Sequence, residues 1–185
     1  MKKIIEEIEK RRAFRALSNE PVEQDVIERI TKAAVLAPSC FNNQPWRFII
    51  VNQDPALEAV KDAIPDGNYW AKEAPLFVLG VTAMELDCRL KDGREYAHYD
   101  LGLSMMNLML QSVREGLIAH PIAGYGAKKL NEYFNLPEGF SVVNVVVVGK
   151  PGDVSKLREK EQESEAAPRK RKPLNEVVFY NSWQG

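Results

Sequence analysis

The segment VVNVVVV at residues 142–148 limits the possible folds more than any other stretch of this chain. A strand that faces water on one side alternates apolar and polar residues. This one carries valine at six of seven positions, interrupted only by Asn144, so both of its faces must be covered. It is also far short of the roughly 20 apolar residues needed to cross a bilayer. LFVLGVT at 76–82 has the same character, and RFIIV at 47–51 is a third, β-branched strand candidate. Helical patterns separate the three. A layered fold of α/β or α+β class follows, with helices packed on a sheet. The 185 residues suffice for one such core and little more.

The helical segments differ in what they expose. Ile4, Ile5 and Ile8 predict a short amphipathic helix over 2–12, which brings Arg11, Arg12 and Arg15 to its C-terminal end, where cations suit the helix dipole. A second helix is expected over 23–36, with Pro21 near its start, an apolar stripe of Val26, Ile27, Ile30, Ala33 and Ala34, and Pro38 as its stop. Residues 55–64 and 127–134 read as short helices, and 94–115 as the longest. In that longest helix Tyr99, Leu103, Met106, Leu110 and Val113 form a seam expected to be central or at a subunit interface, with Gly116 as C-cap. Residues 156–167 are charged and read as a solvated loop or exposed helix. After Pro168 come four cations, Arg169 to Lys172, and then apolar Leu174, Val177, Val178, Phe179, Tyr180 and Trp183. A tail this apolar must dock on something.

With 25 Lys+Arg against 26 Asp+Glu, the chain lacks the cation surplus of a duplex nucleic-acid binder. Its two cysteines, Cys40 and Cys88, are too few for a disulfide framework and have no metal-ligand spacing. A reducing compartment is therefore expected. The start MKKIIEEIEK has acidic residues where a signal peptide carries its apolar core, so the protein is expected to be cytoplasmic, with no membrane segment. The cations gather at 11–15 and 169–172, where they could converge on a phosphate or simply be solvated faces. PSCFNNQPWRF at 38–48 places small polar groups beside a rigid Pro-Trp wall, suited to a planar polar ligand or to a plain turn. HPIAGYG at 120–126 lets backbone N–H groups approach a ligand but lacks a dinucleotide or phosphate-loop fingerprint. His98 and His120 read as surface or structural residues, since neither has metal-ligand neighbours, and no nucleophile elbow exists.

Taken in order, RRAFRAL at 11–17 followed by PV at 21–22, APSCFNNQPWRFIIV at 37–51, DLGLSMMNLMLQSVREGL at 100–117, PIAGYG at 121–126 and RKRKPLNEVVFYNSW at 169–183 resemble the flavin-dependent nitroreductase family. The resemblance spans nearly the whole chain and is least specific over 53–92. It implies an α+β, three-layer α/β/α sandwich with a central mixed sheet, and an intertwined homodimer. Residues 1–185 would form one FMN-binding domain, with 168–185 as an arm that wraps the other subunit. Residue by residue, it implies that Arg11, Arg12 and Ala13 line the N-terminal FMN stretch and that Arg15 faces the pyrimidine edge of the flavin. Arg169 and Arg171 match the phosphate-binding pair, and Ala123 and Gly124 match the backbone donors facing flavin N5 and O4. Pro38, Ser39, Cys40, Asn42 and Gln44 match the loop that reaches the flavin of the other subunit, and Asn68 is a further candidate for a ring contact.

Two positions depart from the family pattern. Ala13 stands where a serine is frequent, and Cys40 stands where serine or threonine is usual. Cys40 is expected to be a small buried residue rather than a redox neighbour of the flavin. The resemblance implies an FMN oxidoreductase that takes electrons from NADH or NADPH and passes them, by a ping-pong mechanism, to small acceptors such as nitroaromatics or quinones. The hard chemistry is the cofactor's, so no metal and no catalytic side chain is required. The alternative is a non-catalytic flavin-binding or sensing protein of the same fold. A third reading, a small domain whose basic patches meet a protein or RNA, lacks the cofactor.

Overall fold

A computed structural model describes residues 3–183 and 185. At its centre, β2 (Leu76–Ala83) pairs with β4 (Phe140–Gly149), and the sheet order is β1-β2-β4-β3. All eight residues of β2 are buried. Because side chains alternate along a strand, the same residues supply two cores. Phe77, Leu79 and Val81 of β2 and Val145 and Val147 of β4 pack on one face with Val60, Trp70 and Leu130. Leu76, Val78, Val146 and Val148 pack on the other with Ile30, Leu101 and Leu108. The two-sided burial read from the valine run is thus met by a helical layer on each face, in an α+β fold.

Within this chain the sheet is antiparallel at all three pairings, β1–β2, β2–β4 and β3–β4, rather than mixed. Neighbouring strands simply alternate direction across the order β1-β2-β4-β3. Strand β1 (Arg47–Val51) begins and ends where the sequence predicts. Strand β3 (Ile118–Ile122) was not expected, because Pro121 and the glycines after it read as a loop. It is an edge strand, the position in a sheet where proline is tolerated. Between β2 and β4 the register shifts at Gly80/Val81, leaving Val143 as the extra residue of a bulge. Gly80 is packed closely by α4 (Ala97–Arg114): a Cβ there would lie 3.2 Å from Leu101 Cδ1 and from Met105 Cε.

Helix α2 (Gln24–Val35) buries Ile27, Ile30 and Ala34 against α4, where Ser104 Oγ donates to the Ala34 carbonyl at 2.7 Å. The buried stripe of α4 is Ala97, Leu101, Ser104, Met105, Leu108, Met109 and Ser112. The predicted seam lies on a different side of the helix. Tyr99 and Met106 are exposed and Leu103, Leu110 and Val113 only half-buried, and of these Leu103 packs against the margin of the core. Helices α3 (Ala56–Asp62) and α5 (Ala127–Tyr133) are shorter versions of the predicted ones. The charged 156–167 segment contains an exposed helix, α6 (Glu159–Ala166).

The ends of the chain are the least self-sufficient parts. Helix α1 (Glu6–Lys10) has five residues and buries none of them, and the predicted start at Lys2 lies outside the described residues. A helix so short is unstable alone in water. The Arg169 guanidinium holds its end, donating to the carbonyls of Ile8 at 3.2 Å, Glu9 at 2.8 Å and Arg11. The tail stays on the surface, with Leu174, Tyr180 and Trp183 each more than three-quarters exposed. Its apolar side chains find no core within the chain. Replacing Phe77, fully buried in the central strand, by alanine should lower unfolding stability by about 3–5 kcal/mol. Val143→Ala at the exposed bulge should change it by less than about 1 kcal/mol. Urea unfolding of the two variants compares these directly.

Candidate functional site

After α1 the chain runs extended through residues 11–15, and the C-terminal side of α6 runs beside it. Their contacts are made with backbone groups. Arg12 donates to the carbonyls of Ser164 at 3.3 Å and Ala167 at 2.7 Å, and the Arg15 N–H donates to Glu165 Oε1 at 2.9 Å. The two stretches enclose a cleft of about 390 Å³ lined by Arg11, Arg12, Ala13, Phe14, Arg15, Ser164, Ala167, Pro168, Arg169, Lys170 and Arg171. The two basic clusters, more than 150 residues apart in sequence, therefore meet.

Their charges are not balanced. Among the described residues, none of Arg11, Arg169, Lys170 and Arg171 pairs with a carboxylate. Arg11 is held below the ordinary arginine pKa, first by burial and then by the charges of Arg169 and Arg171. Fixed cations that repel one another beside a cleft are suited to a multiply charged anion such as a phosphate monoester. Arg12 and Arg169 donate to two and three carbonyl groups and Arg171 to one, that of Lys170 at 2.7 Å, which leaves Arg11 and then Arg171 as the freer side chains.

His120 of β3 supports this stretch from beneath. Its Nδ1 lies 3.0 Å from the Phe14 carbonyl, which can only accept, so the neutral ring carries its proton on Nδ1. The imidazole stacks on Trp70 with centroids 4.5 Å apart, and the Arg15 guanidinium lies 5.9 Å from the Trp70 centroid. Burial is the main reason that His120 has a pKa lowered to about 4, and the charges of Arg15 and Arg11 add to it. The structural role read for this histidine is the one it has. His98 is exposed on α4.

Beyond β3, roughly 10 Å of extended chain from His120, Ala123 and Gly124 are exposed. Asn68 Nδ2 donates to the Gly124 carbonyl at 3.0 Å. A Cβ on Gly124 would lie 2.7 Å from that nitrogen, so a side chain there would push the Asn68 amide out of this position. Asn68 thus joins the 123–124 segment, although the least specific part of the sequence supplied it.

The 38–45 loop stands apart from these groups within the chain. Phe41, Asn42 and Gln44 have φ of 50°, 58° and 50°. Left-handed backbone costs a non-glycine residue about 1–2 kcal/mol, so the loop must be held. Ser39 Oγ accepts the Gln44 N–H at 3.0 Å, and buried Asp100 accepts the Cys40 N–H at 2.9 Å. A disulfide joins Cys40 to Cys88, with Cα atoms 5.9 Å apart. This corrects the expectation of two unpaired cysteines with Cys40 buried, since both residues are half-buried. The reason is the strand register. Arg47 pairs with Val81, so Cys40, seven residues before Arg47, and Cys88, seven after Val81, leave the same end of the β1–β2 ladder.

Sequence reasoning also missed Asp100, Trp70 and Glu165. Of these only Asp100 left a signal, as a carboxylate on the apolar long helix. Among the described residues no cluster of His, Cys, Asp and Glu could hold a metal, and no helix is long and apolar enough to cross a membrane.

The model of the Nitroreductase family matches residues 8–150. A protein of Archaeoglobus fulgidus, provisionally named as an NADH dehydrogenase/NAD(P)H nitroreductase, is 28% identical over 83% of this chain and 88% of its own. An NADH dehydrogenase of Thermus thermophilus is 24% identical over 92% of each chain. A solved structure described as an oxidoreductase containing FMN superposes with a TM-score of 0.89 at 27% identity, covering 100% of this chain and 94% of its own.

The His120 environment has a pH consequence. Its pKa is near 4 when folded and near 6.5 when free. The unfolded chain therefore binds the extra proton between these values, and stability falls as pH drops from about 6.5 to 4. The gap is worth about 3 kcal/mol at ~1.4 kcal/mol per pH unit. His120→Asn keeps a donor near the Phe14 carbonyl and does not titrate. Urea midpoints of the two proteins should therefore differ in their pH dependence across this window.

Proposed function

Because the chain belongs to the nitroreductase family, we propose that it is an FMN-dependent oxidoreductase that takes electrons from NADH or NADPH and passes them to small nitroaromatic, quinone or related acceptors. The observation that carries this reading is the cation cleft, where Arg11, Arg169 and Arg171 stand together without a carboxylate. Such a site is incomplete without a bound anion, and the FMN phosphate supplies one. The joined Asn68 and Gly124 are the second point of fit, because glycine leaves this exposed backbone without a side chain of its own and lets the Asn68 amide sit against it. When bound, FMN supplies hydride acceptance from the nicotinamide and electron delivery to the acceptor, in alternating half-reactions.

The chain's own residues bind and orient. Arg11 and Arg171 hold the phosphate. Arg169 divides its donors between that role and the end of α1, and Arg12 and Ala13 offer backbone N–H groups. Arg15, stiffened over Trp70, faces the polar edge of the ring, where a fixed cation favours negative charge on the reduced flavin. The N–H groups of the 123–124 segment face the reactive edge. Pro38, Ser39, Cys40, Asn42 and Gln44 serve the flavin of the neighbouring subunit, consistent with a loop that lies apart from its own chain's cleft. The homodimer would cover Tyr99 and Met106 of the α4 seam together with exposed Ile4, Ile5, Val35 and Leu36, and residues 168–185 would be an arm laid on the other subunit.

Purified protein should be yellow, lose its 450 nm-region colour with NADH or NADPH under anaerobic conditions, and regain it with a quinone; colour that persists would indicate flavin binding without turnover. Initial-rate plots should be parallel, as for alternating half-reactions. Arg11→Gln should raise the FMN Kd about 10- to 100-fold, the loss of one charge-assisted hydrogen bond. It should leave the apo protein no less stable, since it removes a cation that its neighbours repel. Deleting residues 168–185 should abolish both dimerisation and FMN retention, read by light scattering and absorbance.

A further inference from the structure

We propose that Cys40 and Cys88 form a reversible thiol–disulfide exchange site for a dithiol reductant, and that its state sets the order of the 39–44 loop. The effect on flavin binding rests on the reading above; the effect on the loop does not. Few bonds tie this loop to the rest of the chain. Its far end is pinned at Pro45, whose carbonyl accepts from buried Thr82 at 2.7 Å. Between Ser39 and Gln44, three residues keep left-handed backbone against their preference. Within the loop the Asn42 and Asn43 N–H groups donate to the Ser39 and Cys40 carbonyls at 3.0 Å each, and the Gln44 N–H to Ser39 Oγ; to the rest of the chain it is tied by the Asp100 bond to the Cys40 N–H, by the Arg47 bond to the Gln44 carbonyl and by the disulfide. The disulfide is the one covalent cross-link among them, and opening it leaves hydrogen bonds alone to hold Phe41 and Gln44 in left-handed backbone, which Asn42 tolerates better.

Both cysteines are half-buried, so their sulfurs are neither sealed in a core nor freely solvated. Cys88 is followed by exposed Arg89 and Lys91 and preceded by buried Asp87, while Arg94 is paired with Asp92 at 2.8 Å, so the segment has both signs of charge and access to the sulfur rests on its half-exposure. One thiolate of the dithiol attacks Cys88 Sγ, forming a mixed disulfide and releasing the Cys40 thiolate, which takes up a proton. The second thiol of the reductant then attacks its own sulfur in that mixed disulfide and frees Cys88 as a thiol. The reductant leaves as its disulfide, two electrons having passed to the protein. In a reducing compartment a disulfide of this kind is a transient, sensing feature rather than a structural one.

The test compares the full-length protein in oxidised and reduced dithiothreitol. Maleimide labelling of the native protein should find no thiol before reduction and two after it. Amide exchange of residues 40–44 should quicken at least tenfold in the reduced form, and the FMN Kd should rise by a similar factor. Cys88→Ser should match reduced wild type and ignore dithiothreitol; if that variant does not fold, the wild-type comparison decides alone. Unchanged exchange at 40–44, or no labelling of the native reduced protein, would overturn the proposal. Changed exchange with no FMN bound in either state would sustain it and sink the flavin reading instead. Changed exchange with an FMN Kd equal in both states would overturn its extension to the cofactor.

Discussion

The double-sided burial of the β2–β4 pair is the constraint on which the other features rest. Neither strand has a face that can meet water, so helices must close both sides. Once they do, strand register determines which loops meet. On one side of the pair, the β1 register brings residues 38–46 beside 84–92. On the other, β3 carries His120 beneath residues 11–15 and delivers Ala123 and Gly124 a few residues on. The site is assembled from the ends of a sheet whose interior is largely valine, leucine and phenylalanine.

The cleft has a different energetic character from the sheet. Burial of apolar surface stabilises the layers without reference to any ligand. In the cleft, the charges of Arg169 and Arg171 act against that of Arg11; Arg169 and Arg171 are held by backbone carbonyls, and neighbouring Arg12 by carbonyls and the Phe14 ring, rather than by acids. A carboxylate in their place of pairing would stabilise the empty protein and compete with an incoming phosphate. Leaving the charges unbalanced gives up some stability in favour of binding. His120 is neutral for the related reason that a further positive charge beside Arg15 and Arg11 would be costly in a buried position.

What the sequence made legible was set by how local each signal is. Strand β1 and helix α2 were placed almost to the residue, because β-branched runs and helical stripes are written in consecutive positions. Strand β3 was hidden by Pro121, whose prohibition applies inside a sheet and lapses at its edge. The seam of α4 was visible as a pattern, but a pattern does not say which of two apolar sides faces the sheet; Met105 and Met106 are adjacent, and only the first is buried. The cysteine pair could not be read at all without the Arg47–Val81 register, and the hold of Asp100 on Cys40 is a contact between residues sixty apart that only the packing of α4 supplies. The two basic clusters were legible as clusters, and their meeting needed the fold.

The grip of Arg169 on the end of α1 also has a meaning in time. The N-terminal arginines leave the ribosome early, but their extended stretch is completed by Arg169 and by the carbonyls of Ser164 and Ala167, more than 150 residues later. The sheet's last strand ends at Gly149, before any of these groups exists. A nascent chain can therefore complete its sheet before the cleft exists, since the cleft is built by the final part of synthesis. On the proposed reading, cofactor capture waits until translation has run past residue 169, and a chain released short of that point would keep its sheet and lack the cations meant for the phosphate.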